Sequence, residues 1–143
     1  MSAIVEVTNL SNCMAGKWVH QHLNFFARTG QITAIQIEGH TSSDWGEGKQ
    51  RGLDAYLKNM ELSQNRSANV LNYILNIDDI GESDIWTRNK LSAVGYSSSK
   101  ILYDVNGQVR SENELTSRRV SFKLIMDTES QLNRIRNLDS NRI

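Results

Sequence analysis

Hydrophobic positions change their period several times along the chain, and each change predicts an element. "IVEV" opens with a short apolar alternation. From Asn12 to Arg28, Met14, Trp18, Leu23, Phe25 and Phe26 recur at mostly helical spacing, and Gly30 is placed to stop a helix. "ITAIQIEGH" sets Ile32, Ala34 or Ile35, and Ile37 against polar neighbours in a β-branched context, which predicts a strand ending at Gly39 with its C-terminal end at solvent. Thr41 to Lys58 is rich in Ser, Gly and charge and too long for a tight turn, so it reads as a functional loop with a short helical turn at "LDAYLK". Ser63 suits an N-cap, and Ala68, Val70, Leu71, Ile74 and Leu75 lay a broad apolar face on a helix reaching about Ile77. "LSAVGYSS" and "RRVSFKLIMD" predict two further strands, the second alternating Val120, Phe122, Leu124 and Met126. Between them "YDVNGQVRSENELTS" reads as a long polar loop turning at Asn106 and Gly107. Leu132, Ile135 and Leu138, with arginines between, predict a short amphipathic helix over 129–142 that packs on its own sheet, frays, or binds a partner.

The mixed order of helices and strands, with no internal repeat, predicts an α/β (α+β) sandwich in which helices cover one sheet. At 143 residues one domain spanning 1–143 is the simplest organisation. Sixteen basic and sixteen acidic residues cancel, so no whole-chain field draws the chain to nucleic acid or an anionic membrane. Cys13 is the sole cysteine, which excludes an internal disulfide framework and an all-cysteine metal site. No window approaches the roughly 18 apolar residues of a membrane span, and "MSAIVEVTN" lacks the basic start and apolar stretch of a secretory signal. The chain is therefore expected to be soluble as it stands, a property equally shared by a piece of a secreted or membrane-anchored parent.

The chemistry worth weighing lies in "NMELSQNRSANVLNYIL". If Ser63 caps the helix, Arg66 falls in its first turn, where a guanidinium beside free backbone N–H groups makes a receptor for a carboxylate. Pairing of Arg66 with Glu61 or Asp44, or solvation, is the alternative. His20, His22, His40 and Cys13 have no familiar metal spacing, and Ser42, Ser43 and His40 are adjacent but unframed by a nucleophile elbow. Neither a metal nor a cofactor nor catalysis is expected, and His40 reads as a strand-end histidine bonded to the turn.

"IEGHTSS", "NMELSQNRSANVLNYIL", "LSAVGYSSSK" and "SRRVSFKLI" resemble, in order and spacing, the motifs of the peptidoglycan-binding domain shared by OmpA, Pal and MotB. The resemblance covers roughly residues 30–126 and implies an OmpA-like two-layer sandwich, helices packed on one mixed β-sheet. In that family a strand-end aspartate and a helix-start arginine hold the diaminopimelate residue of the peptidoglycan stem peptide, so the resemblance implies wall binding with no chemistry performed. Carried over by position, Arg66 matches the family arginine, Asn59 and Leu62 its "NxxL", and Thr41 its threonine. The family aspartate is replaced by Ser42. Asp44 stands two residues on to restore the charge, and Ser42 or Ser43 can accept a hydrogen bond. Leu62 with Trp45 or Tyr96 would wall the ligand, although Trp45 equally suits ordinary packing. Arg119 is implied near the site in a ligand-side or structural role, and Arg118 is read as a solvent or ion-pair residue. Ser97 replaces a usual glycine, its small size suiting a close backbone approach.

The "GHTSS" variant with its tryptophan looks most like the MotB-like subunit of the Zorya anti-phage defence system, whose parent carries a transmembrane helix before such a domain. That likeness implies a periplasmic domain of a membrane-anchored parent, a homodimer, and a MotA-like membrane partner engaged through a region outside the chain. The competing expectation is an OmpA-like structural or interaction module whose wall-binding site has decayed at Ser42.

Overall fold

A computed structural model gives the structure. It describes residues 2–7, 32–77 and 83–126, with isolated positions at 17, 21, 22, 28, 30, 136 and 137. Apart from those isolated positions, the helix expected over 12–28 and the closing helix over 129–142 lie outside the described residues.

The strand predicted at "ITAIQIEG" forms as β2 (Ile32–Gly39), at the centre of a four-stranded mixed sheet. β1 (Ser2–Val7) runs antiparallel to β6 (Val120–Met126), β6 antiparallel to β2, and β2 parallel to β3 (Leu91–Gly95). A parallel pair needs a crossover, and α1 (Leu53–Leu75) with α2 (Ser83–Lys90) lies within it. A register shift between Ile32 and Ala34 changes the phase of β2, so Ile35 and Ile37 face the core and Ala34 does not. They pack with Phe122 and Leu124 of β6 and with Val70 and Ile74 of α1 into one apolar cluster.

α1 is longer than its apolar face. It begins after Gly52, whose φ of 102° suits glycine, and runs unbroken through "LDAYLK" and Ser63. Ser63 is thus no N-cap. It is a fully buried mid-helix residue whose hydroxyl donates to the Met60 carbonyl and accepts from the Ser97 backbone N–H, both at 2.9 Å. Arg66 consequently lies in mid-helix, beyond the reach of the terminal dipole that the sequence reading invoked. The buried face continues N-terminally as Ala55, Asn59, Ser63 and Ser67, still at helical spacing but small or polar.

That small-residue face lets α1 lie directly on the strand ends. A Cβ at Gly39 would collide with the Ser63 carbonyl, and one at Gly95 would meet the Gln64 backbone nitrogen at 2.5 Å. Gly39→Ala would therefore push the helix from the sheet, since backbone cannot yield as a flexible side chain does. Just beyond, Ser97 adopts a φ of 52° where the family pattern has glycine. The strain is offset by the bond from Ser63 and by donation from its own hydroxyl to the Tyr56 carbonyl at 2.7 Å.

The stretch expected as a polar loop is instead a hairpin, β4 (Tyr103–Asn106) with β5 (Val109–Glu112), followed by the one-turn α3 (Glu114–Ser117). Both strands are almost wholly exposed and so show no alternation to read. The Asn113 side chain caps α3 by accepting from the Thr116 N–H at 3.0 Å.

Candidate functional site

Beyond the end of β2 the chain turns over the N-terminal half of α1, and a cleft of about 330 Å³ opens there. Thr41, Ser42, Asp44 and Trp45 line it from the turn, Asn59, Leu62 and Arg66 from α1, and Arg118 from the approach to β6. That volume falls within the roughly 300–1,000 Å³ range of small-molecule sites.

The turn is held by bonds that sequence spacing does not disclose. Asn59 donates from its amide nitrogen to the carbonyls of Ser42 at 3.1 Å and Asp44 at 3.0 Å. From the other side, Ser43 gives both its backbone N–H, at 2.8 Å, and its hydroxyl to the Glu112 carboxylate on β5. A buried amide and a hairpin carboxylate thus clamp the turn, leaving Ser42 and Asp44 oriented on the cleft wall.

Its charged groups are Asp44, Arg66 and Arg118. Arg118 Nε donates to Ser42 Oγ at 2.9 Å, while its Nη2 lies 3.4–3.5 Å from the Asp44 carboxylate. A hydrogen bond from the Ser42 hydroxyl is the first cause holding Asp44 below the usual carboxylate pKa; its own backbone N–H and Arg118 add to this, and burial opposes it. Asp44 is therefore an anion at neutral pH. Arg66 donates to the His40 carbonyl at 3.2 Å, and burial, then the nearby Arg118, lowers its pKa from the ordinary arginine value. A guanidinium nonetheless stays charged. Thr41 Oγ1 is buried and has no hydrogen-bond partner among the described residues.

Behind the cleft, His40 is 1% exposed, stacked on Tyr96 at 5.3 Å, and in contact with Glu38 at 3.3 Å. Burial first, then the positive charges of Arg119 and Lys100, pushes its pKa down to about 4. The Glu38 contact is accordingly a hydrogen bond from a neutral ring, with Nε2 as donor, rather than an ion pair.

No family model matches the chain. Over 104 residues, 73% of the chain, it is 42% identical to the Zorya protein ZorB of Escherichia coli, and it spans 43% of that protein's length. Among solved structures it is similar to the periplasmic domain of Helicobacter pylori MotB, with a TM-score of 0.51 at 14% identity over 99% of this chain and 85% of that one. A MotB-like protein from Desulfovibrio vulgaris aligns with a TM-score of 0.50 at 22% identity, over 88% of this chain and 73% of that one. The chain belongs to the family of the Zorya protein ZorB, and its fold is that of the MotB periplasmic domain.

Within this ZorB-family chain the residues expected at the site divide by position. Thr41, Ser42, Asp44, Asn59, Leu62 and Arg66 line the cleft together, and Trp45 joins them. Ser43 is turned to Glu112, and Tyr96 is engaged with His40. Arg119 is buried away from the cleft, its guanidinium donating to the Lys100 and Ser117 carbonyls. Arg118, read from sequence as a solvent or ion-pair residue, does pair with Asp44 and Glu114, and of the two adjacent arginines it is the one that lines the cleft. Neighbours along an extended chain point to opposite sides, and "RR" alone does not disclose which one faces inward. Glu112 was missed because it lies 69 residues from Ser43 in a stretch without a legible pattern.

Proposed function

We propose that this OmpA-like domain binds the peptidoglycan stem peptide at its diaminopimelate residue, without catalysing a reaction, and so anchors a membrane or stator complex to the cell wall. The observation that carries this is the cleft, whose lining brings together Arg66, Arg118 and Asp44. The free end of diaminopimelate carries a carboxylate and an ammonium on a methylene chain. Arg66 suits the carboxylate by a two-pronged charge-assisted contact, and Asp44 supplies the counter-charge for the ammonium. Leu62 and Trp45 wall the methylenes, while the Thr41 hydroxyl is a ready partner for either polar group. In this reading Ser42 and Asp44 together replace the single aspartate of the family, the serine orienting and the aspartate bearing charge. Asn59 and Ser43 act through the turn they hold.

The kinship with a protein named for the Zorya system, and with the periplasmic domain of MotB, supports a periplasmic position, a role in anti-phage defence, homodimer formation and a MotA-like membrane partner reached through the rest of a longer protein. Binding to purified peptidoglycan sacculi is the direct test. Wild type is retained in the pellet, whereas Arg66→Ala and Asp44→Asn stay in the supernatant. A wild type that fails to sediment, or an Arg66→Ala variant that sediments equally, removes the wall-binding reading.

A further inference from the structure

For a zwitterionic ligand end, one cation and one carboxylate suffice, yet this cleft holds a cation more. Arg66 and Arg118 both line it, and Asp44 is the carboxylate among its lining residues. Glu114 approaches Arg118 at 3.7 Å but lies closer to Lys49, at 3.1 Å, and that exposed pair balances its own charge. Ser42 creates the surplus. Its hydroxyl accepts from Arg118 Nε, so it orients a guanidinium without neutralising it. An aspartate at that position would set a second carboxylate against Arg118 and cancel the excess. Arg118 also keeps donors to offer, because its outer nitrogen reaches Asp44 only at 3.4–3.5 Å, longer than a strong charge-assisted bond.

We infer that Arg118, oriented by Ser42, makes this cleft selective for a ligand end bearing two free carboxylates and one ammonium, one carboxylate for each guanidinium. Resting on the stem-peptide reading above, this names the form of stem that is taken. A stem that ends at diaminopimelate presents two carboxylates and one ammonium, a net charge of −1 against the cleft's +1. Converting its terminal carboxyl to an amide leaves a neutral end and strands Arg118 without an anion. Truncated charge-assisted bonds of this kind are worth roughly tenfold or more in affinity.

The probes are the tripeptide L-Ala-γ-D-Glu-diaminopimelate as free acid and the same peptide with the terminal carboxyl of its diaminopimelate amidated, each titrated calorimetrically into the chain. Wild type is expected to bind the free acid about tenfold more tightly than the amide. Arg118→Gln should bind both equally, near the wild-type value for the amide, and Ser42→Asp should lose the preference with Arg118 still present. Melting curves of both variants establish that they are folded. Equal binding of the two peptides by wild type, or a preference that persists in folded Arg118→Gln, overturns the inference and leaves wall binding standing. Failure of wild type to bind either peptide removes the stem-peptide reading together with the inference built on it.

Discussion

The two halves of α1 bury the same face by opposite chemistry. From Val70 to Ile74 the helix sets aliphatic side chains against Ile35, Ile37 and Phe122, and its fit depends on volume. From Ala55 to Ser67 it sets small and polar residues against strand ends and the 42–44 turn, and its fit depends on hydrogen bonds and on glycines that allow backbone contact. One half makes the fold stable. The other makes it hold a cleft. Such a division keeps the cleft's charged residues apart from the core, with Arg66 on the helix, Asp44 in the turn and Arg118 before β6.

Truncation in the apolar half should cost most. Ile74→Ala removes a fully buried side chain and is expected to lose about 2–5 kcal/mol in urea unfolding, with sacculus binding unchanged under conditions where the variant is folded. In the polar half, Asn59→Ala leaves the Ser42 and Asp44 carbonyls without their donor and should cost about 2–3 kcal/mol. Its second effect separates the halves, since the released turn loses sacculus retention as well. A variant that kept full retention would show that the amide serves stability alone.

His40 joins the two halves through pH. Its neutral form is favoured in the fold, so between pH 6.5 and about 4 the unfolded chain binds the extra proton and stability falls as pH falls. The slope is at most about 1.4 kcal/mol per pH unit, or about 2 kcal/mol lost by pH 5, levelling below pH 4. Melting temperatures across that range should decline in wild type and lie flatter in His40→Asn. At the small end, Asp54→Ala at the start of α1 breaks an exposed pair with Lys58 at 2.9 Å and removes an exposed first-turn acid. Less than about 0.5 kcal/mol should be lost, and a greater loss would mean that the helix start is less independent of its surface charges than the comparison implies.

The same contrast explains what could be read beforehand. β2, β6 and the C-terminal part of α1 follow apolar periods that Ile35, Phe122 and Ile74 carry into the core, and they were legible for that reason. The N-terminal part of α1 was not, because its buried residues are Asn and Ser, and Ser63 looks locally like a cap. Burial of a polar residue depends on partners far along the chain, such as Ser97 for Ser63. The short α2 was missed for a related reason: among its described side chains the apolar Trp86 and the polar Thr87 are turned inward, too few to set an apolar period.

For the site, the sequence by itself determined the residue types and their order: a strand ending in His40 and Thr41, a polar turn, a helix carrying Asn59, Leu62 and Arg66. Periodicity and motif spacing suffice for that, because both are local. Only the tertiary structure decided that Arg118 rather than Arg119 lines the cleft, that Asn59 and Glu112 hold the turn, and that Arg118 reaches both the Ser42 hydroxyl and the Asp44 carboxylate. Those are matters of which side chains face one another across more than 70 residues of chain, as between Ser42 and Arg118. Long-range packing sets them, and no local pattern encodes it.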